Sequence, residues 1–177
     1  AVKVSGGRWV PAETYTVKLE GVELAGYQSV VIGSIRDPII IGQIDSWLDR
    51  LRDRLASRIR DAFGGLEMDK DYSIFFRVYG RNGTMGTLEP AGTLSHELCI
   101  FIEVTAPTEE LATSIADSCH HLAVHHPVPE WHGLITALAY PYSPAVLNRG
   151  PVHRFNLNHL VEPATPYEMF PAELVAI

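Results

Sequence analysis

The sequence contains few cysteines and no long apolar run. Cys99 and Cys119 are the only two cysteines, and their predicted places on a strand and on the buried side of a helix favour two free thiols over a disulfide. The longest apolar runs, such as residues 39–41 and 134–140, are much shorter than the roughly 20 residues of a membrane-spanning helix. The first residues show neither a hydrophobic signal core nor an initiator methionine. We therefore expect a cytoplasmic chain without a membrane partner, which is part of a longer protein or a separate small subunit.

Clusters of positive charge are missing as well. The chain has 14 Lys and Arg residues against 21 Asp and Glu residues, and its net charge is -7. Binding of a phosphate backbone needs lysines and arginines gathered on one surface, whereas here acidic residues are interleaved with them. We therefore expect no nucleic-acid partner. The length fits one domain with a core of its own.

Alternating apolar residues predict the strands. The clearest pair lies at residues 73–79 and 97–104, where every second residue is apolar, as is typical of half-buried strands. Similar patterns predict strands at residues 14–20 and 24–35, which a turn at Gly21 would join, and at residues 134–140 and 152–161. Residues 148–151 are predicted to form a turn.

Two helices are predicted between these strands. Asp37 and Pro38 are suited to begin a helix, and an apolar stripe that includes Trp47 continues it to about Phe63. Thr108 predicts the start of a second helix, which should end near residue 126 because prolines follow. The order is thus β-β-α-β-β-α-β-β. We expect one α+β domain over residues 1–177, with a ferredoxin-like antiparallel sheet and two helices on one face.

The C-terminal segment, residues 163–177, combines three prolines with several large apolar residues. These apolar residues are Tyr167, Met169, Phe170 and Leu174. Because large apolar side chains are stabilised by burial, we expect this segment to be a tail docked on the body of the protein or on a partner.

A long loop separates the two clearest strands. A hairpin loop usually has two to five residues, but here residues 80–96 lie between the strands, so the loop is predicted to have a function. The three glycines of residues 80–90 permit close approach of the backbone to a ligand. The glycine spacing matches neither a dinucleotide-binding motif nor a P-loop, and no serine lies in a GxSxG motif. The polar residues predicted to bind an anionic ligand at this end of the hairpin are Arg77, Tyr79, Arg81, Asn82 and Glu89.

His96 and Glu97 stand at the start of the second strand of this hairpin and have two interpretations. In the first, Arg77 and Glu97 form an ion pair across the two strands and have a structural role. In the second, Arg77, His96 and Glu97 line a polar pocket, where they hold a carboxylate or act as acid and base. The residue types leave both open, and His96 and Glu97 are the candidate catalytic residues.

Four histidines near the end of the second helix resemble a metal site, but we expect no metal there. His121 and His125 are four residues apart, as two ligands on one helix turn would be. There is no glutamate in the metalloprotease pattern and no evident third ligand. Histidines at the C-terminal end of a helix are also stabilised by the helix dipole alone.

Several short blocks in one order resemble the C-terminal part of the acyclic terpene utilisation (AtuA-type) family. The resemblance spans the chain from about residue 4 to the end, with Tyr140 and Tyr142 where the family usually has phenylalanine, and Ile135 and Thr136 where it usually has a Gly-Asn pair. The blocks are RVYGRNGTMGTLEP (residues 77–90), SHEL (95–98), EVTAPTEE (103–110), AYPYSP (139–144), GPVHRF (150–155), His159 and PYEMFP (166–171).

The resemblance implies a role in the bacterial breakdown of acyclic terpenes and related acids as coenzyme A thioesters. It also implies that an N-terminal α/β domain precedes this part of the enzyme. We therefore expect an accessory and assembly domain that is not catalytic alone and that forms a homo-oligomer. It should need no cofactor and should contribute hairpin residues to a shared site for an acyl-CoA or organic acid. The alternative is a purely structural ferredoxin-like oligomerisation module without ligand or catalysis.

Overall fold

A computed structural model describes residues 1–130 and 136–176 of the chain. The chain forms two compact units. The larger unit is Leu24–His153, and the smaller unit consists of Ala1–Glu23 and Arg154–Ile177. The helices and strands are β1 (Val17–Ile35), α1 (Pro38–Gly42), α2 (Ile44–Ala62), β2 (Ser73–Tyr79), β3 (Leu98–Ala106), α3 (Glu109–Val124) and β4 (Val146–Val161), with a short 3-10 helix at Gly86–Leu88.

The protein has an α+β fold with a four-stranded antiparallel sheet in the order β2-β3-β1-β4. The predicted antiparallel pairing of the two hairpin strands is confirmed, since Ser73 lies opposite Thr105 and Tyr79 opposite Cys99. Along β3 the residues alternate strictly between buried and half-buried. The buried side of this central strand, made by Leu98, Ile100, Ile102, Val104 and Ala106, therefore forms the middle of the core.

Helices α2 and α3 pack against each other and cover this buried side of the sheet. The buried side of α2 consists of Ile44, Trp47, Leu51, Leu55 and Ile59, and that of α3 of Ala112, Ile115, Ala116, Cys119 and Ala123. Both sets belong to the same core cluster as the buried residues of β3. Small residues dominate on α3, and they let this helix approach α2 and the sheet closely. The opposite side of β3 keeps half-buried residues such as Phe101 and Glu103.

The first predicted helix forms as two helices that meet at Gln43. Asp37 caps the first of them, because its carboxylate accepts hydrogen bonds from the backbone N–H groups of Ile39 and Ile40 at 2.8 and 3.2 Å. The second ends at Ala62 with Phe63 as its C-terminal cap, and Gly64 after it takes a left-handed conformation (φ +68°). The N–H of Gly65 then donates to the carbonyl of Arg60 at 2.9 Å, which satisfies one of the last carbonyls of the helix.

The second predicted helix is confirmed with its cap. The hydroxyl of Thr108 accepts a hydrogen bond from the N–H of Leu111 at 3.2 Å, and Glu109 and Glu110 lie in the first turn. Acidic groups there are stabilised by the positive end of the helix dipole. The helix ends at Val124, and His125 is its C-terminal cap.

The predicted order of eight elements is wrong, because the described residues contain four strands. The two strands expected at residues 14–20 and 24–35 are one strand, β1, since Gly21 remains extended with β4 beside it. Of the strand expected at residues 134–140, Leu134 and Ile135 lie outside the described residues, and Ala139 forms a single bridge to Ser34. The turn expected at residues 148–151 lies within β4, where Gly150 accommodates a positive φ of 76°.

The smaller unit contains a two-stranded antiparallel ribbon made by residues 17–23 of β1 and 154–161 of β4. Glu23 and Arg154 form an ion pair across it at 2.7 Å, and this pair holds the pKa of the Glu23 carboxyl below its usual value. A Cβ at Gly21 would lie 3.0 Å from the Cβ of Leu157, so the glycine allows the two strands to lie close together. Residues 1–16 and 162–176 have no regular secondary structure, and the large apolar residues of the tail are exposed.

Among the described residues, no helix has both the length and the apolar character that crossing a membrane would require.

Candidate functional site

The long hairpin loop is folded back onto the edge strand β2. The N–H groups of Asn82 and Gly83 donate to the carbonyl of Val78 at 3.2 and 2.8 Å, and the N–H of Gly86 donates to the carbonyl of Asn82 at 2.7 Å. On the other side of the loop, the N–H of Ser95 donates to the carbonyl of Gly80 at 3.0 Å. These bonds satisfy backbone groups that would otherwise depend on water, so this long loop has a defined conformation.

Two of the three glycines in residues 80–90 are required by close backbone contacts. A Cβ at Gly83 would lie 2.9 Å from the carbonyl of Val78, and a Cβ at Gly80 would lie 2.7 Å from the carbonyl oxygen of Glu97. Gly80 also has a φ of +88°, which residues with a side chain rarely adopt. Gly86, with φ +58°, has no atom within 4 Å of the position of a Cβ. Gly83 therefore serves the packing of the loop on β2, and Gly80 serves the close approach of the loop to the residue that precedes β3.

Three of the predicted ligand residues meet in one cleft of about 280 Å³ beside the loop. Arg81, Asn82 and Glu89 line this cleft together with residues 91–94. The guanidinium of Arg81 is already engaged, because its Nη2 donates to Oδ2 of Asp45 on α2 at 2.6 Å. Glu89 accepts a hydrogen bond from the N–H of Ala91 at 3.0 Å. An anion that enters this cleft would have to compete with Asp45 for Arg81.

Arg77 and Tyr79 lie elsewhere, on the side of the sheet that the helices leave open. They line a cleft of about 370 Å³ whose other residues include Phe101, Glu103 and Arg149. Nε of Arg77 donates to Oε1 of Glu103 at 2.8 Å, and this bond raises the pKa of the Arg77 guanidinium. The ring of Tyr79 meets that of Phe101 edge-on, with the ring centroids 5.5 Å apart. The cross-strand ion pair exists, but its acidic partner is Glu103 and not the predicted Glu97.

His96 and Glu97, the candidate catalytic residues, are both exposed at the start of β3. Neither of them lines the two clefts described above. The hairpin residues therefore do not converge on one centre. Arg81, Asn82 and Glu89 are together, Arg77 and Tyr79 form a second group, and His96 and Glu97 face solvent.

The four clustered histidines have different surroundings. His121 and His125 are exposed, whereas the ring of His120 lies between those of His121 and Tyr140, with both centroid distances at 4.7 Å. Within residues 1–130 and 136–176, no three His, Cys, Asp or Glu side chains come together as a metal site would require. The absence of a metal stays a prediction. Cys99 and Cys119 are free thiols, as predicted, and burial raises the pKa of both.

The sequence did not indicate a group formed by Arg50, Arg54 and His126. Both arginines lie outside the apolar stripe of the first helix, and Arg54 is exposed while Arg50 is half-buried. His126 is only 2% exposed, and Nη1 of Arg54 lies 3.0 Å from its Nδ1. Burial, followed by the charges of Arg54 and Arg50, lowers the pKa of His126 to about 4. The only available signal was the position of these arginines beside the buried stripe.

No family model matches the chain, and no curated protein or solved structure is significantly similar to it. The resemblance to the acyclic terpene utilisation family therefore stays a prediction from the sequence blocks.

Proposed function

We propose that this chain is an accessory and assembly domain of a cytoplasmic AtuA-type enzyme that acts on acyclic terpene acids or branched acyl-CoA thioesters. The observation that carries the assembly function is the apolar surface of the ribbon, residues 17–23 and 154–161. Val22, Phe155 and Leu160 are 57%, 72% and 62% exposed. A two-stranded ribbon alone is marginally stable in water, and a partner would bury the apolar side chains that this ribbon exposes on both of its faces.

The partner in this proposal is another part of the same enzyme, either its N-terminal α/β domain or a second copy of this chain. The apolar side chains of the tail, residues 163–176, support this choice of partner, because Tyr167 and Phe170 are also largely exposed and belong to the same unit as the ribbon. Burial of one such ring against a partner contributes roughly 1.5–3 kcal/mol. A few of them therefore suffice for stable association.

Light scattering during size-exclusion chromatography tests the assembly function. The paired change Phe155→Ser and Leu160→Ser should weaken self-association, or binding of the separately produced N-terminal domain, by about tenfold or more. The matched control is Tyr142→Ser, since Tyr142 is also exposed but lies in the larger unit. A chain that stays monomeric and binds no N-terminal domain would rule out assembly through the ribbon.

We further propose that the hairpin loop contributes Arg81, Asn82 and Glu89 to a ligand site that the partner completes. The shared cleft beside the loop supports this, together with the exposed Met85 and Leu88 at its tip. Arg81 offers a planar fork that suits carboxylate or phosphate. Its bond to Asp45 is exposed, and such surface pairs contribute only about 0–1 kcal/mol, so a ligand can replace Asp45 at low cost.

A set of three variants in the full-length enzyme tests this site. Arg81→Ala and Asn82→Ala should leave the melting temperature nearly unchanged and weaken activity or acyl-CoA binding by about tenfold or more. Asp45→Asn is the matched control, because it removes the same ion pair as Arg81→Ala while the guanidinium remains. It should retain ligand binding. If Asp45→Asn and Arg81→Ala behave alike, or if the alanine variants only lower stability, the loop has a structural role.

The purely structural oligomerisation module is the second candidate, and one observation favours it. Both arginines of the predicted ligand set, Arg77 and Arg81, already bind carboxylates of this chain, Glu103 and Asp45. In that case the ribbon variants would abolish assembly, while the loop variants would leave activity unchanged.

We also propose that the fold is ferredoxin-like. With α1 and α2 taken together, the elements follow the order β-α-β-β-α-β. The strand order supports the proposal, because β3 separates β1 from β2 and β1 separates β3 from β4. This split β-α-β connection, made twice, is typical of that fold.

A further inference from the structure

A cleft of about 490 Å³ lies where α2 meets the segment that follows α3. Arg50, Asp53 and Arg54 line it from the helix, and His126 to Pro129 line it from the segment. Two hydrogen bonds fix the segment to the start of α2. Nε1 of Trp47 donates to the carbonyl of His126 at 2.8 Å, and Nε2 of Gln43 donates to the carbonyl of Pro129 at 3.0 Å.

Residues that line the cleft hold buried hydrogen-bond donors that the protein itself does not satisfy. Within the described residues, Nε and Nη2 of Arg50 are buried, with less than 1 Å² of accessible surface each, and have no hydrogen-bond partner. These two atoms form one edge of the guanidinium, the edge that binds both oxygens of a carboxylate. A buried charged donor without a partner is strongly unfavourable, so these donors require a partner that the described residues do not supply.

His126 adds a third donor. A guanidinium can only donate, so Nδ1 of His126 accepts from Nη1 of Arg54, 3.0 Å away. The ring is therefore neutral and carries its proton on Nε2. Nε2 is buried and also has no partner among the described residues. Arg54 thus acts as a positioning residue that orients the N–H of His126 as a donor.

The charge and the walls of the cleft define the class of ligand. Arg50 and Arg54 each contribute a positive charge, Asp53 contributes a negative charge, and His126 is neutral, so the lining has a net charge of about one positive unit. This suits a singly charged anion better than a doubly charged one. Pro127, Val128 and Pro129 form an apolar wall that water solvates poorly. A ligand with an apolar body would bury that wall.

We propose that Arg50 and His126, with Arg54 as a positioning residue, form a binding site for a small aliphatic monocarboxylate. These donors have almost no accessible surface, so the ligand reaches them when the Arg50 side chain and the segment 126–129 move apart. The fork of Arg50 then binds both carboxylate oxygens, the N–H of His126 donates to one of them, and the alkyl group lies against Pro127–Pro129. This site does not depend on the hairpin loop or on the ribbon, so its failure would leave the proposed function unaffected.

Nuclear magnetic resonance of the 15N-labelled chain at neutral pH tests the site, with the side-chain N–H signal of Arg50 as the readout. The probe is isovalerate, with isovaleramide as its uncharged isostere and inorganic phosphate as the second oxyanion. Isovalerate should shift the Arg50 signal saturably, isovaleramide should not, and phosphate should bind about tenfold more weakly or worse. This measurement on the unaltered chain does not require any variant to fold.

Two variants complete the test. Arg50→Lys keeps the charge but removes the fork, and it should weaken isovalerate binding by about tenfold or more. Arg58→Lys is the matched control, because Arg58 is exposed on the same helix, and it should bind isovalerate as the unaltered chain does. The absence of a saturable shift, equal affinity in both variants, or tighter binding of phosphate than of isovalerate would overturn the proposal.

Discussion

Trp47 connects the core to the segment that follows α3. Two different replacements of it distinguish the contribution of packing to stability from that of hydrogen bonding. Its ring is fully buried and meets the ring of His126 edge-on, with the centroids 5.4 Å apart. Its Nε1 donates to the carbonyl of His126 at 2.8 Å. Trp47→Ala removes both contributions, whereas Trp47→Phe keeps most of the apolar contact and removes the hydrogen bond.

The magnitudes follow from these contacts. Loss of a fully buried tryptophan ring costs about 3–5 kcal/mol, and a buried carbonyl left without its donor adds about 1–3 kcal/mol. We therefore expect Trp47→Ala to lower the free energy of unfolding by 4 kcal/mol or more, on the order of the sum of both terms. Trp47→Phe should lower it by about 1–3 kcal/mol.

Urea unfolding followed by far-UV circular dichroism measures both values, and the denaturant slope should stay unchanged if only stability is altered. Arg58→Ala is the control, since an exposed change away from any contact stays within about 0.5 kcal/mol. If Trp47→Phe matches the unaltered chain, the bond to His126 does not contribute to stability. If Trp47→Ala costs no more than the control, the assignment of the buried side of α2 is wrong.

Four further predictions concern single features. Arg54→Ala should cost about 1 kcal/mol in urea unfolding, because Nδ1 of the buried His126 loses its donor, and a value equal to that of Arg58→Ala would contradict the contact. Gly83→Ala should cost about 1–3 kcal/mol, since its Cβ would overlap the backbone of Val78, whereas Gly42→Ala in α1, with no atom near its Cβ, should be neutral or slightly stabilising by the same measurement. The pKa of His126 falls from 6.5 to about 4 on folding, so as the pH falls the unfolded chain binds the proton before the folded chain does. The free energy of unfolding should therefore decrease by up to about 3 kcal/mol as the pH falls through this window. Urea unfolding of His126→Asn should lack that decrease, and an equal pH dependence of both chains would refute the assignment. Elemental analysis of the untagged chain should find well under one equivalent of zinc, and a stoichiometric metal that is lost with His121→Ala and His125→Ala would overturn this expectation.

Local signals predicted much of the fold. The alternation of β2 and β3 and the caps at Asp37 and Thr108 depend on neighbouring residues, so the sequence alone indicated them. The turn expected at Gly21 failed because a glycine also permits an extended strand, and in the structure Leu157 of β4 lies against it. Whether a glycine ends a strand or lets another strand approach depends on a partner that is remote in sequence.

The candidate site was predicted only as a group of residue types. The sequence placed Arg81, Asn82 and Glu89 in one loop, and the structure gathers them in one cleft. It also predicted that Arg77 and Arg81 would be available for an anion, yet each binds a carboxylate 26 or 36 residues away along the chain. Such partners depend on how the strands and helices pack, which no spacing in the sequence encodes.

By itself the sequence determined the class of the fold, the buried side of the first long helix and the paired strands of the hairpin. These follow from apolar periodicity and from capping, which act over a few residues. Only the tertiary structure decided that the β1 segment is one strand and that Arg54 meets the buried His126, which lies 72 residues away. Packing of α2 against the segment after α3 excludes water from the ring of His126 and from Nε and Nη2 of Arg50, whereas Arg54 as a whole stays exposed. Polar atoms of one helix thereby come to lie beside a buried, neutral histidine that follows another helix.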